Sequence, residues 1–338
     1  MNIPADDILR LERVSVRLGT AGGTAQILRD VSFSVGRGEI VALAGESGSG
    51  KSTALLAVLR LLAPGAQTSG SIVVDGQDIA PLRGRRLREF RARTARMVFQ
   101  DPWRALHPMH SIGRQLVESA RAADPSLSKD AARDLAGDTL ARVGIPDPGA
   151  RLRSYPHQVS GGQLQRVVIA MALVASPSLL LCDEPTTALD VTTQAQILDL
   201  LKELNRDLGI SIVLATHDLD VIADVADKLV VMYAGAVSEE GPTEQVMARP
   251  EHPYTWSLLQ AAPGRQPSER LRAIEGRPPR WPASPDARSR RVASTGVTCA
   301  MPRRSHRYRC RTCRAGAPRV CVSPRRAHDR RKGPRDER

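Results

Sequence analysis

The 338-residue sequence has no long hydrophobic run. Its longest uninterrupted apolar stretch spans nine residues, 167–175, well short of the roughly 18 to 20 residues needed to span a bilayer. The first 14 residues are acidic and lack the positive start and apolar centre of a signal peptide. We therefore expect a soluble cytoplasmic chain, in which any membrane role comes through a partner.

An excess of basic over acidic charge is also missing outside the C-terminal tail. The formal net charge is +13, but residues 277–338 hold 18 Arg and 1 Lys against 4 acidic residues, a net +15. The first 276 residues therefore carry a net charge of −2. This near-neutral balance gives no support for a basic groove, so we do not expect nucleic acid as a partner.

Cysteine is rare in the same part of the chain. Of five cysteines only Cys182 precedes the tail, and it lies in the apolar run LLLCDE. A buried structural thiol in a reducing compartment fits this position.

What the sequence does contain is an alternation of strand and helix patterns. This order predicts an α/β fold with a parallel sheet covered by helices on both faces. The predicted elements are antiparallel strands within 8–18 and 27–43 that lead into a buried strand at 39–46, a helix at 51–63, a hairpin at 69–79, a helical insertion at 110–145, and buried strands at 178–184 and 210–218 that flank a helix at 192–209.

Residues 45–52 read GESGSGKS and match the phosphate-loop pattern G-x-x-x-x-G-K-[ST] between a buried strand and a helix. The glycines let backbone N–H groups close around phosphates, Lys51 reaches the β- and γ-oxygens, and the Ser52 hydroxyl can bind Mg²⁺. The alternative, a glycine turn without a ligand, fits the flanking strand and helix poorly. The predicted ATP-binding residues are Gly45, Ser47, Gly48, Ser49, Gly50, Lys51, Ser52 and Thr53.

A second buried-strand pattern ends in two carboxylates, Asp183 and Glu184. Ligands of open α/β sheets bind at the carboxyl ends of the strands, so both acids should emerge near the phosphates. Asp183 suits Mg²⁺, and Glu184 suits a general base for the attacking water. The alternative is a helix cap and a solvated acid before Pro185.

A third motif, VSGGQ at 159–163, opens another helix pattern and offers backbone N–H groups to an anion. Taken with the two motifs above, it resembles the signature of the nucleotide-binding subunits of ABC transporters, although Val159 stands where Leu is commoner. Gln100 in VFQDP resembles that family's Q-loop, residues 188–190 its D-loop, and His217 in LATHD its switch histidine. The resemblance spans residues 8–240.

The resemblance implies a P-loop ABC-type nucleotide-binding domain at 1–240, with a RecA-like core, an antiparallel β subdomain and a helical insertion at about 101–165. It also implies that two such domains pair head to tail, so that each signature completes the other's ATP site. The implied residues are Glu184, His217 and Gln100 for catalysis, Ser160, Gly161, Gly162, Gln163 and Asp190 acting on the partner's nucleotide, and Ser52, Gln100 and Asp183 for Mg²⁺.

Further motifs resemble the oligopeptide/dipeptide importers, a branch that includes nickel importers. They are FQDP at 99–102, SYPHQ at 154–158, ALDVT at 188–192, YAG at 233–235 and HPYT at 252–255. The last lies in a C-terminal extension, residues 241–279. Alternatively, HPYT simply starts a helix with Pro253 in its first turn.

This branch implies a peripheral ATPase on the cytoplasmic side of the cell membrane. Its expected partners are a second ATPase subunit, identical or related, two transmembrane permeases and, indirectly, an extracytoplasmic binding protein. Trp103 and Met109 are candidate permease contacts, with ordinary core packing as the alternative. Rival functions are import of nickel or another small solute, an exporter ATPase, and a soluble ABC ATPase of DNA repair or translation.

Two features depart from the family. Leu18 stands where an aromatic residue usually stacks on adenine, so only an apolar contact is expected there. Beyond the Gly-x-Pro-Pro element at 276–279 the resemblance ends, and a shifted reading frame is our preferred explanation of residues 280–338. The alternatives are a disordered basic tail and a metal site built on Cys299, Cys310, Cys313 and Cys321.

Overall fold

The computed structural model describes residues 7–20, 23–187 and 189–261. The strands are β1 (Asp7–Thr20), β2 (Gly23–Gly36), β3 (Ile40–Ala44), β4 (Gln67–Val74), β5 (Gln77–Asp78), β6 (Ala95–Val98), β7 (Leu179–Asp183), β8 (Ser211–Thr216), β9 (Lys228–Tyr233) and β10 (Ala236–Pro242). The α-helices are α1 (Lys51–Val58), α2 (Gly84–Glu89), α3 (Pro102–Ala105), α4 (Ile112–Ala123), α5 (Lys129–Arg142), α6 (Pro148–Arg151), α7 (Gly161–Leu173), α8 (Val191–Leu208), α9 (Leu219–Val225), α10 (Thr243–Ala248) and α11 (Pro253–Ala261).

The strands form two sheets. One is antiparallel, with the order β2-β1-β4-β5. The other has the order β10-β9-β3-β8-β7-β6; β10 is antiparallel to β9, and the remaining neighbours are parallel. These are the antiparallel subdomain and the parallel core that the sequence predicts.

The central strands of the parallel sheet bring the predicted site residues to one edge of the sheet. Every residue of β3 and β8 is buried, as expected for strands covered on both faces. In the register of the sheet, Ala44 pairs with Thr216 and Asp183 with Ala215. Residues 45, 184 and 217 therefore leave three neighbouring strands at the same edge.

Alternate side chains of these strands fill different cores. In β7, Leu179 and Leu181 pack with α1 and the antiparallel sheet, whereas Leu180 and Cys182 pack with α4, α7 and α8. This is the two-residue period of an extended strand. One face of β7 thus packs against the core beneath the phosphate loop, and the other face packs against the helical core.

The first helix is shorter than predicted, because α1 ends at Val58 rather than near residue 63. Arg60 has a φ of +55°, and its guanidinium donates to the carbonyl oxygens of Ile79 and Leu82. The helix is closed locally, because the N–H of Arg60 bonds to the carbonyl of Ala57 and that of Leu61 to the carbonyl of Leu56; Ala/Leu spacing does not reveal this end.

The C-terminal extension forms two helices in the described part. Pro253 is the first residue of α11, as the local interpretation of HPYT predicts. Among the described residues, no helix combines the length and apolarity needed to cross a membrane. Ala188, the 276–279 element and the tail with its four cysteines lie outside the described residues, so their predictions stay predictions.

Candidate functional site

The phosphate loop connects β3 to α1. Gly45, Gly48 and Gly50 have φ angles of +147°, +80° and +107°, a region that favours glycine. A Cβ on Gly45 would lie 2.3 Å from the carbonyl oxygen of Met232, and one on Gly50 would lie 2.7 Å from Leu28 Cδ2. These two glycines let the loop lie against its neighbours, and α1 starts directly behind it with Lys51, Ser52 and Thr53.

Lys51 is buried inside this loop. Its Nζ donates to the carbonyl oxygens of Gly45 at 2.7 Å and Glu46 at 3.1 Å. Burial lowers the pKa of Lys51, and the nearby carboxylates of Glu184, Asp183 and Glu46 oppose that shift. The loop therefore holds an ammonium group at the place where phosphate oxygens are expected.

Ser52 and Asp183 form an oxygen-rich pair. The Ser52 hydroxyl donates to Asp183 Oδ1 at 2.8 Å, across 131 positions of sequence. Burial raises the pKa of Asp183, while the bond from Ser52 opposes the rise. A carboxylate that has lost solvation is stabilised by a nearby cation.

Glu184 is surrounded by polar side chains from separate segments. Its Oε2 accepts from Gln100 Nε2 and from the Thr187 hydroxyl, both at 3.0 Å, and its Oε1 lies 3.3 Å from His217 Nδ1. The φ of Glu184 is +47°, a conformation that costs a non-glycine residue about 1 to 3 kcal/mol. The surrounding contacts hold the carboxylate in this position.

The structure thus brings together the phosphate loop, Asp183, Glu184, Gln100 and His217, as the motifs predict. Thr187 was missed. Its position three residues after Glu184, in the run EPTT, is the signal that could have found it. Leu18 lies in β1 opposite Ala25 and packs against the core, so its contact with adenine stays a prediction.

The signature residues lie at the start of α7. Ser160 and Gly161 are exposed, and Ser160 Oγ accepts from the N–H of Gln163 at 3.3 Å. In the described part of the chain, no hydrogen bond joins residues 160–163 to the phosphate loop. Within one copy, the structure does not bring the two anion sites together.

The signature instead packs against the start of α8. A Cβ on Gly162 would lie 2.6 Å from Thr193 Cγ2. Asp190 accepts from the N–H of Thr193 at 3.0 Å and from its hydroxyl at 2.7 Å, and these bonds lower the pKa of Asp190. Thr193 thus connects the signature helix to the predicted D-loop.

Known proteins share these features. A family model described as "ABC transporter" matches residues 28–187. The oligopeptide transport ATP-binding protein OppD of Bacillus subtilis is 45% identical over 276 residues, which cover 80% of this chain and 77% of OppD. This chain belongs to the ABC transporter family. The family's chemistry makes it an ATP-binding cassette and an ATPase.

Other relatives agree with this assignment of the cassette. The dipeptide transport ATP-binding protein DppD of Escherichia coli is 43% identical over 271 residues, covering 80% of this chain and 83% of DppD. A second family model, described as the C-terminal region of oligopeptide/dipeptide transporters, matches residues 238–289. The prediction of the peptide-importer branch is confirmed.

Solved structures confirm the predicted fold of the cassette. The ATP-binding cassette MJ0796, solved as a dimer in a post-hydrolysis state with ADP and Pi, has a TM-score of 0.62 and 30% identity, covering 70% of this chain and 98% of its own. The ABC transporter component cbiO1 of Clostridium perfringens has a TM-score of 0.61 and 33% identity, covering 72% and 92%.

Proposed function

We propose that this chain hydrolyses ATP to drive a membrane importer of di- or oligopeptides. The observation that carries the catalytic part is the carboxylate of Glu184, which lies beside the phosphate loop with Gln100 and His217 in contact with it. A carboxylate in this place can accept a proton from an attacking water, and general-base catalysis of this kind contributes roughly 10²- to 10⁴-fold in rate.

The neighbours of Glu184 orient that reaction. The amide of Gln100 and the hydroxyl of Thr187 both donate to Oε2, which leaves Oε1 facing the exposed imidazole of His217. His217 follows β8 directly and can therefore reach both Glu184 and a γ-phosphate held by the loop. Its role is to hold the phosphate and the water in line with the base.

Mg²⁺ is the metal that this family implies, and the residues present fit it. Ser52 and Asp183 offer a hydroxyl and a carboxylate that are already joined at 2.8 Å, and oxygen donors are the ligands Mg²⁺ prefers. Gln100 would contribute its amide oxygen. When bound, the ion supplies neutralisation of the phosphate charge.

A second cassette, identical or related, would complete the site. The start of α7, which holds the signature residues Ser160, Gly161, Gly162 and Gln163, is open to solvent at Ser160 and Gly161. Val191, next to Asp190, is 84% exposed. A large apolar side chain left this open at the start of α8 fits burial against another copy. The signature of each chain would then reach the nucleotide on the other.

The permease would dock on a groove near Gln100. A cavity of about 250 Å³ is lined mostly by apolar side chains, together with Arg91, Arg96 and Ser119. One of the apolar residues, Phe99, is partly exposed and immediately precedes Gln100. A helix seated there can shift Gln100 and thereby Glu184. Trp103 and Met109, 53% and 76% exposed, are candidates for the rim of this contact.

Peptide is the proposed cargo because the names of the similar proteins refer to oligopeptide and dipeptide transport. A binding protein outside the membrane would select it, since the ATPase does not meet the cargo. Nickel or another small solute is the second candidate. We place the chain at the cytoplasmic face of the membrane, held there by its partners.

Purification from gently solubilised membranes of the native cell tests this assignment. We expect two multi-spanning permeases and a second ATPase to accompany the tagged chain, and the associated binding protein to retain peptide. Co-purification with ribosomal or DNA-repair proteins, and with no membrane protein, would overturn the importer.

A further inference from the structure

The C-terminal extension touches the phosphate loop through one side chain. The hydroxyl oxygen of Tyr254, the second residue of α11, accepts from the backbone N–H of Glu46 at 3.2 Å. The two residues are 208 positions apart. The family resemblance marks Tyr254 as part of HPYT but assigns no contact with the nucleotide site.

This contact acts on the peptide group that also holds Lys51. The N–H of Glu46 and the carbonyl of Gly45 belong to one planar peptide unit, and that carbonyl accepts from Lys51 Nζ at 2.7 Å. Tyr254 and Lys51 therefore bind opposite sides of the same peptide. Hydrogen bonds in series polarise one another, so each supports the other.

The tyrosine is itself held firmly. Tyr254 is only 7% exposed, and its ring centroid lies 4.4 Å from that of Tyr233. Burial raises the pKa of Tyr254 to about 12, so its hydroxyl stays neutral at physiological pH.

The start of α11 is anchored to β10. The carboxylate of Glu239 accepts from the N–H of Glu251 at 2.7 Å and from that of His252 at 3.1 Å. His252 Nδ1 in turn accepts from the N–H of Tyr254 at 3.1 Å. A continuous series of contacts thus leads from Glu239 through α11 to the phosphate loop.

We propose that Tyr254 is a positioning residue for nucleotide binding. Its hydroxyl fixes the Gly45–Glu46 peptide, and with it Lys51, in the geometry that receives the phosphates. The C-terminal extension is thereby part of the ATP site as well as a feature of the peptide-importer branch. This inference rests on the ATPase activity assigned above.

Tyr254→Phe tests the proposal, because it keeps the ring and removes only the hydroxyl. A neutral hydrogen bond contributes about 0.5 to 1.5 kcal/mol, so we expect the KM for ATP to rise by about two- to tenfold. The kcat at saturating ATP should stay unchanged, and the thermal midpoint of the protein should fall by no more than the loss of one neutral hydrogen bond accounts for. Because the contact acts on the phosphates, the inhibition constant of tripolyphosphate should rise by the same factor as KM.

Tyr233→Phe is the matched control. Its ring packs on Tyr254, but among the described residues it makes no hydrogen bond to the loop, so its KM should equal that of the wild type. An unchanged KM in Tyr254→Phe, or a kcat that falls by as large a factor as KM rises, would overturn the positioning role.

Glu239→Ala provides an independent route to the same peptide. Loss of its two bonds should loosen α11 and raise the KM, and the effect should largely vanish when Tyr254 is already Phe. Fully additive effects of the two substitutions on KM would contradict a route from Glu239 through Tyr254 to the Gly45–Glu46 peptide.

A wild-type chain that binds tripolyphosphate but never hydrolyses ATP would refute the proposed function, while the binding data would still decide the role of Tyr254.

Discussion

Gln100 and Glu184 are joined by a hydrogen bond of 3.0 Å although 84 positions separate them in the chain. Gln100 follows β6 and comes directly after Phe99, which lines the groove proposed for the permease, and Glu184 follows β7 beside the phosphate loop. Because β6 and β7 are paired neighbours, a displacement at one strand end is transmitted over one contact. This contact is a direct route by which the proposed permease could control hydrolysis.

Removal of the proposed base should abolish turnover and spare binding. Glu184→Gln keeps the size of the side chain but cannot accept a proton, so the ATPase rate should fall by about 10²- to 10⁴-fold. ATP affinity, measured by equilibrium binding, should remain. Glu203→Gln, at an exposed position of α8, is the control, and turnover within a few-fold of wild type in Glu184→Gln would refute the assignment.

Thr187 should matter for the rate through Glu184. Thr187→Val preserves the shape and removes the hydroxyl that donates to Oε2, and a hydrogen bond to a charged group is worth about 1.5 to 3 kcal/mol. We expect kcat to drop by about ten- to a hundredfold with little change in KM. Thr68→Val, at an exposed position of β4, should be neutral, and an equal loss in both variants would argue against a specific role.

The two signature glycines should respond differently to alanine. A Cβ on Gly162 would meet Thr193 at 2.6 Å, whereas one on Gly161 has no atom within 4 Å. Gly162→Ala should therefore lower the thermal midpoint of the isolated chain, by an overpacking cost of about 1 to 3 kcal/mol.

Gly161→Ala should leave the thermal midpoint unchanged and reduce ATP hydrolysis, because its new methyl group would face the partner's nucleotide. Differential scanning fluorimetry and steady-state ATPase assays separate the two effects. Full activity in Gly161→Ala would count against the composite site.

Asp183 should make the nucleotide-free protein less stable as pH rises. Burial raises its folded pKa above the ordinary value of 3.8, so the folded state holds the proton more tightly than the unfolded state. Its stabilising contribution is fully present below pH 3.8 and is lost as pH rises through the folded pKa. At neutral pH the charged carboxylate therefore costs stability.

Asp183→Asn should consequently raise the thermal midpoint of the nucleotide-free chain at neutral pH and abolish its stabilisation by Mg²⁺ with ATP. Thermal unfolding across pH, with and without Mg²⁺ and ATP, measures both. Asp134→Asn, exposed on α5, is the matched control. A lower midpoint in Asp183→Asn at neutral pH would contradict the burial argument.

Much of the site follows from local sequence signals. Each local pattern predicts the structure of its own segment. These patterns are the glycine spacing of residues 45–50, the apolar run before Asp183 and the apolar run before His217. Parallel strands bring such segment ends to one edge, so β3, β7 and β8 could be foreseen together with the residues that follow them. The sequence alone thus determined the phosphate loop, the two carboxylates and the ABC fold.

Other features depend on segments that meet only after folding. The guanidinium of Arg60, which lies just after α1, bonds to carbonyl oxygens of the 79–82 segment, and the contact between Tyr254 and Glu46 crosses 208 positions. Such contacts require the packing of distant surfaces, which no local period or motif encodes, so the tertiary structure alone established them.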